Sequence, residues 1–484
     1  MNYKMMSRFI GQMLLIEAAF MLPALLISVL DGDENAVYGF LAATAITTAV
    51  GGMLLIFGKN AKYNFYAKEG LLCVGISWIA FGILGSLPFV FSKEIPSFID
   101  ALFETISGFT TTGASILSEV ESLSRGVLYW RSFTHWLGGM GVLVFLLAIV
   151  PGREGKSGFT MHLLRAESPG PNVGKLVPKM RHTARILYII YIVLTVLDIL
   201  LLLLGKMPLF DAICTGFGTA GTGGFGIKND SIAGYSPYIQ NVCTVFMILF
   251  GVNFNCYYLI LLKQIKNVFK DEEFRFYIIM VLVSIMLISW NIRGLYGSWG
   301  ETVRYAAFQV GSLVSSTGFA TANFGEWPGF SKSLLLFLMF VGASAGSTGG
   351  GFKCGRTVLL IKNFHRGLMK ELRPQQVQVV RMNGNKVDEK ILQTANVYLI
   401  AYVLIYLVSF LLISIDGHSI TTNVTAVLAC LNNIGPGLDL VGPSGNYACF
   451  GVLSKLVLIF DMLAGRLEIF PMLILFSRAT WKKG

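Results

Sequence analysis

Long uninterrupted apolar runs dominate the chain and set its architecture. Stretches of about 20 mostly apolar residues, the length that crosses a bilayer as a helix, lie near residues 9–30, 36–58, 70–92, 131–151 and 183–204. Five more lie near 237–262, 274–292, 331–361, 392–415 and 449–477. The pattern predicts ten crossings with both termini on one side of the membrane. The eighth and tenth runs are longer than one membrane thickness.

Four connections between these runs are not plain loops. Residues Phe103–Ser115, Phe210–Phe225, Phe308–Phe319 and Val424–Gly437 each carry a half-length apolar stretch followed by a turn rich in Thr, Ser, Asn and Gly. Irregular backbone at membrane depth leaves N–H and C=O groups that lipid cannot satisfy, so it persists only where it is buried in protein or lines water. Four such segments on one side imply a shared aqueous path. A glycine in each turn permits backbone angles that other residues resist, which lets carbonyl oxygens face inward and replace a cation's hydration shell. Each short helix also directs its carbonyl end, worth about half a negative charge, toward the centre. The competing reading is a set of Gly/Thr-rich turns or close-packed helix contacts. The predicted fold is an all-α polytopic membrane protein with four pseudo-symmetric helix, pore loop, helix repeats around one central pore, plus two N-terminal transmembrane helices. Its boundaries are residues 1–67 for the two-helix appendage and 68–180, 181–273, 274–390 and 391–484 for the four repeats.

Composition and charge then orient this scheme. The chain is 54% hydrophobic and 13% charged, against roughly 45–50% and about 25% in soluble domains. Soluble classes are excluded. Lys and Arg concentrate in residues 59–69, 152–185 and 353–390, on the same face as Lys4, Arg8, Lys482 and Lys483. That face is predicted to be cytoplasmic, with Asp31, Asp33 and Glu34 opposite. Orientation accounts for the net charge of +11 without a nucleic-acid partner. Seven cysteines without metal-ligand spacing read as small apolar residues.

The segments Thr110–Ala114, Thr222–Phe225, Ser315–Thr321, Asn432–Gly437 and Ala343–Lys353 resemble the bacterial Trk potassium-uptake family in its membrane subunits, TrkH and TrkG. The sequence is also similar to the related Ktr and plant HKT transporters. The resemblance implies K+ as the transported substrate, uptake across the bacterial inner membrane, a homodimer, a cytosolic TrkA-type nucleotide-binding regulatory ring, and no organic cofactor. It implies a filter whose backbone carbonyls bind K+ at Thr111, Thr112 and Gly113; at Thr222, Gly223 and Gly224; at Ser316, Thr317 and Gly318; and at Asn433, Ile434 and Gly435. In the second repeat the register stays open between Gly223 and Gly224. In the family, glycine at all four positions accompanies potassium preference, and some sodium-selective plant relatives carry serine at the first, which is Gly113 here.

The glycines of Gly342–Gly351 each weaken a helix by roughly 1 kcal/mol, so the eighth run is expected to break there. This would leave a polar loop with Gly346, Ser347, Thr348, Gly349, Gly350, Gly351 and Lys353 on the cytoplasmic side of the filter. The resemblance gives that loop a gating role, whereas the residues alone also permit a close-packed helix. Arg466 lies within the last apolar run, where a charge is costly enough to mark a functional candidate. It would oppose cation passage, or pair simply with Asp461 or Glu468. Gly216–Gly221 satisfies GxGxxG without the preceding strand that a dinucleotide site requires. The glycines before Lys353 lack the Ser or Thr of a phosphate loop, and no HExxH occurs. Enzymatic chemistry is therefore not expected. A cation/proton or Na+/K+ symporter, using Glu104 or Asp211, is the neighbouring alternative; a membrane scaffold or enzyme without ion flux is the distant one.

Overall fold

The computed structural model describes residues 2–61, 67–139, 141 and 180–481. Most of the basic 152–185 loop, together with Lys62, Lys482 and Lys483, lies outside the described residues. Among the described residues six helices are long and apolar enough to cross a membrane: Tyr3–Asp31, Glu34–Phe57, Lys68–Phe91, Ala184–Leu204, Glu272–Ile292 and Glu389–Asp416. Large apolar side chains such as Leu30, Ile56, Leu204, Trp290 and Leu411 are exposed on these helices. Such a surface is stable in lipid and not in water.

The first two helices form a hairpin that crosses at Gly11 and Gly51. A Cβ at Gly11 would lie 2.7 Å from the Gly51 carbonyl oxygen, so only glycine allows this approach. The remainder repeats one unit four times: an outer helix, a short pore helix, a turn, and an inner helix. The pore helices are Phe98–Phe109, Leu209–Gly221, Trp299–Val314 and Ile420–Leu431. Three of them start on a serine, Ser97, Ser298 or Ser419, whose hydroxyl accepts a backbone N–H of the first turn, and the other starts after Pro208. These caps satisfy donors that lipid would leave unpaired. Gly216–Gly221 lies inside the second pore helix, so its GxGxxG spacing is helical and belongs to no phosphate loop.

The inner helices depart from the expectation of plain crossings. The first is described from Arg125 to Gly139; the others stop at Phe250, Val341 and Arg466. After Phe250 the chain turns by 89° into Phe254–Leu261. After Val341 it runs as a loop to Cys354, as the glycines predicted. After Arg466 it passes through Glu468 and Ile469, both at positive φ, into a short helix opened by Pro471. The sixth and tenth runs are therefore broken as well. Proline there lacks the N–H needed to continue the preceding helix but suits the first turn of a new one.

Candidate ion pathway

Each pore helix ends in the same way. The residue after the last turn adopts the left-handed conformation, with φ of 55° at Thr111, 54° at Thr222, 60° at Ser316 and 53° at Asn433. The next N–H then reaches back five residues: Thr112 to Ser107, Gly223 to Gly218, Thr317 to Ser312 and Ile434 to Ala429, all at 2.8–2.9 Å. This is a Schellman termination. It ordinarily places glycine or asparagine at the left-handed position, and a β-branched threonine there is unusual. Two residues further on a glycine takes positive φ: 76° at Gly113, 79° at Gly224, 88° at Gly318 and 93° at Gly435. The repeated dihedral pattern aligns Gly224, and not Gly223, with the other three glycines.

The four turns interlock. A Cβ at Gly113 would collide with the carbonyl oxygen of Gly223, one at Gly224 with that of Thr317, and one at Gly318 with that of Ile434. A Cβ at Gly435 would lie 2.6 Å from the carbonyl oxygen of Thr112. First to second, second to third, third to fourth and fourth to first, each glycine abuts the neighbouring repeat's peptide oxygen in a closed ring. All four glycines line one cavity of about 140 Å³. Lys455 of the fourth inner helix, ion-paired to Asp100 of the first pore helix at 2.6 Å, adds a second fastening where the ring closes.

Side chains brace the ring from behind. The Thr110 and Thr112 hydroxyls are hydrogen-bonded at 2.7 Å, as are those of Ser315 and Thr317. Asn433 donates to the Thr112 hydroxyl at 3.0 Å and to the Met462 carbonyl at 2.8 Å. Tyr447 donates its hydroxyl to the Gly435 carbonyl at 2.6 Å. His135 bridges two repeats: its Nδ1 bonds the Gly108 carbonyl at 2.8 Å, and its Nε2 accepts the Phe225 N–H at 3.1 Å. Accepting at Nε2 places the proton on Nδ1. The sequence had shown His135 only as one of five scattered histidines. Its functional signal was its place in the fourth apolar run, where a polar ring needs partners.

The carboxylates considered for symport both have partners. Glu104 is fully buried and ion-paired to Arg131 at 2.6 Å. Asp211 accepts the Tyr235 hydroxyl at 2.8 Å.

On the other side of the ring sits the glycine-rich loop. Gly350 donates its N–H to the Ser316 hydroxyl. A Cβ at Gly349 or Gly350 would strike the carbonyls of Ser315 and Asn432 respectively, so glycine lets the loop lie flat against the ends of the third and fourth pore helices. Thr348 donates its hydroxyl to the Phe250 carbonyl at 3.2 Å, and Gly346 accepts the Phe254 N–H at 3.0 Å. The loop thus plugs the kink in the second inner helix. Ser347 bonds back to the Ser344 carbonyl, Lys353 donates to the Gly349 carbonyl, and Gly351 packs on Gly342.

Arg466 reaches across this region. Its guanidinium donates to the Thr348 carbonyl at 2.9 Å, to the Gly139 carbonyl at 2.7 Å and to the Gly138 carbonyl. A loop carbonyl and two at the end of the first inner helix thereby converge on one positive charge. Its two neighbouring carboxylates have their own partners: Glu468 is paired with Arg356, and Asp461 accepts the Ser409 hydroxyl at 2.7 Å.

Glu273, which the sequence reading passed over, holds both ends of the loop. Its Oε1 accepts the N–H of Ala345 at 2.6 Å and that of Gly355 at 3.0 Å. Leaving a buried backbone donor without its acceptor costs about 1–3 kcal/mol. Glu273→Ala is therefore expected to speed hydrogen exchange across residues 344–355 by about tenfold or more, since about 1.4 kcal/mol corresponds to a factor of ten. Exchange at the wild-type rate, measured by mass spectrometry on the detergent-solubilised protein, would show that the carboxylate does not restrain the loop.

Comparison with known proteins accords with this geometry. A family model described as TrkH, cation transport protein, matches residues 38–483. The chain is 36% identical over 491 residues to the Trk system potassium uptake protein TrkH of Salmonella typhimurium, covering 100% of both chains. It is 31% identical over 493 residues to the Trk system potassium uptake protein TrkG of Escherichia coli K12, covering 99% of both. The crystal structure of the potassium transporter TrkH from Vibrio parahaemolyticus superposes with a TM-score of 0.89 at 30% identity, covering 100% of both chains. With four interlocked pore turns and relatives matched end to end, this chain belongs to the TrkH family of cation transport proteins.

Proposed function

We propose that this chain carries potassium ions into the cell across the cytoplasmic membrane, with the four turns as its selectivity filter. The observation that carries this reading is the closed ring in which each filter glycine abuts its neighbour's peptide oxygen. Peptide oxygens fixed in such a ring can replace the hydration shell of a monovalent cation, and four pore-helix ends add negative potential at the same place. Thr111–Gly113, Thr222–Gly224, Ser316–Gly318 and Asn433–Gly435 are assigned to the filter, and residues 68–180, 181–273, 274–390 and 391–484 to the four pore repeats. Residues 346–351, Lys353 and Arg466 are assigned to a gate held shut: the guanidinium occupies carbonyl oxygens that a passing cation would otherwise use, as a tethered cation would. Both termini are assigned to the cytoplasm on the distribution of Lys and Arg. A homodimer served by a cytosolic TrkA-type nucleotide-binding ring completes the reading, on the resemblance of the pore motifs.

Expression in a host lacking its own potassium uptake is expected to restore growth at low external K+. Gly113→Ser is expected to preserve growth at high K+ while lowering the K+ over Na+ uptake ratio. Protein that reaches the membrane yet moves neither K+ nor Rb+ would sink the proposal.

A further inference from the structure

One charged pair joins two of the four filter strands, whereas the Lys455–Asp100 pair ties an inner helix to a pore helix. Arg131, on the first inner helix, is 3% exposed. Its Nε meets Glu104 at 2.6 Å, one terminal nitrogen donates to the Gly226 carbonyl at 2.8 Å, and the other donates to the Ser115 hydroxyl at 3.2 Å. The guanidinium carbon lies 3.6 Å from the centre of the Phe225 ring. Glu104 in turn accepts the Ser115 hydroxyl and the Ile116 N–H, both at 3.0 Å. Ser115 and Ile116 follow the first filter turn after Ala114, and Phe225 and Gly226 directly follow the second. The pair therefore fastens the strand leaving one turn to the strand leaving the next.

The filter alignment shows how singular this is. The positions matching Glu104 in the other repeats hold Thr215, Gln309 and Ala426. Burying a lone ion pair contributes little to stability, because the desolvation cost consumes most of the attraction, and apolar replacements of similar size are often neutral. A planar guanidinium nevertheless does what an apolar side chain cannot: it fixes a carbonyl, a hydroxyl and a ring in one plane-defined geometry. Arg131 also lines the cavity that the four glycines share. An uncompensated positive charge there would repel arriving cations. Glu104 cancels that charge while leaving the guanidinium free to hold Gly226.

We infer that Arg131, held and neutralised by Glu104, is a positioning residue for ion selectivity that sets the spacing between the first and second filter strands. This inference rests on the potassium-filter reading, and its test separates the two. Potassium and sodium fluxes into proteoliposomes are measured for the wild type, Glu104→Gln, the double variant Glu104→Gln/Arg131→Gln, and Phe225→Leu. Wild-type protein without K+-preferring flux overturns the filter reading and this inference with it. If the wild type prefers K+, Glu104→Gln is expected to lower the K+/Na+ flux ratio by about tenfold, as the loss of one charge-assisted contact would. It is also expected to raise the half-saturating K+ concentration, because the Arg131 charge then faces the cavity alone. The double variant, neutral again, is expected to recover the half-saturation but not the ratio. Phe225→Leu keeps the ion pair and most of the apolar volume but removes the stacked ring, and is expected to lower the ratio by about threefold, in line with a lost cation–π contact. A merely stabilising pair would reduce yield and leave the ratio unchanged. The inference is overturned if every variant that reaches the membrane keeps the wild-type ratio, and equally if none of the three reaches it.

Discussion

Gly224→Ala is expected to reduce Rb+ uptake about tenfold or more, with the protein still present in the membrane at normal levels. Two costs combine. The backbone at Gly224 has φ of 79°, a conformation that disfavours an L-residue by roughly 1–2 kcal/mol. The new methyl group also has nowhere to go, because the Thr317 carbonyl fills its position. Relief requires the third turn to move, and the third turn is itself locked to the fourth. Gly52→Ala in the second helix is the control. Gly52 is not at positive φ, and a Cβ there would meet nothing within 4 Å, so uptake is expected to stay within about twofold, since substitutions away from special features usually change little. Equal uptake by Gly224→Ala and wild type at matched protein levels would show that the ring is not the filter.

Arg466→Gln is expected to raise passive Rb+ flux through the purified protein about tenfold when no regulatory subunit is present. The wild-type guanidinium ties Thr348 in the loop to Gly138 and Gly139 in the first repeat. A glutamine has a shorter side chain and no charge, so those carbonyls lose charge-assisted bonds of about 1.5–3 kcal/mol each, and the loop loses its tie to the opposite repeat. Arg466→Lys is expected to fall between the two, because an ammonium keeps the charge but lacks the flat fork that reaches several carbonyls at once. The measurement is isotope flux into proteoliposomes with reconstituted protein quantified in each sample. Unchanged flux in both variants would leave the arginine a structural strut and nothing more.

The membrane class, most of the helix positions and the four pore turns were legible in the amino-acid sequence because hydrophobic length and glycine-rich interruptions are one-dimensional signals. The breaks in the sixth and tenth runs were not. Gly251 lies between the apolar Phe250 and Val252, and the charged Arg466 and Glu468 beside Leu467 sit within a longer apolar stretch, so a hydropathy window averages across both bends. The second-repeat register was also hidden: Gly221, Gly223 and Gly224 are chemically alike, and what separates them is the left-handed backbone of Thr222, a consequence of how the helix ends. Arg131 and Glu104 lie in different elements, as do Glu273 and the loop it grips, so neither pairing has a local pattern. Arg466 was legible as a costly charge, while its partners were not, because they are main-chain oxygens and any residue supplies those.

The glycine-to-oxygen ring has one further implication. A pore assembled from four identical subunits would receive every substitution fourfold, so its aperture would change in large concerted jumps. Here each quadrant is encoded separately, and the positions that supply the abutting oxygens, Thr112, Gly223, Thr317 and Ile434, already hold three residue types. If the ring is the filter proposed above, discrimination among alkali ions can be trimmed one quadrant at a time, without asking the remaining three to change.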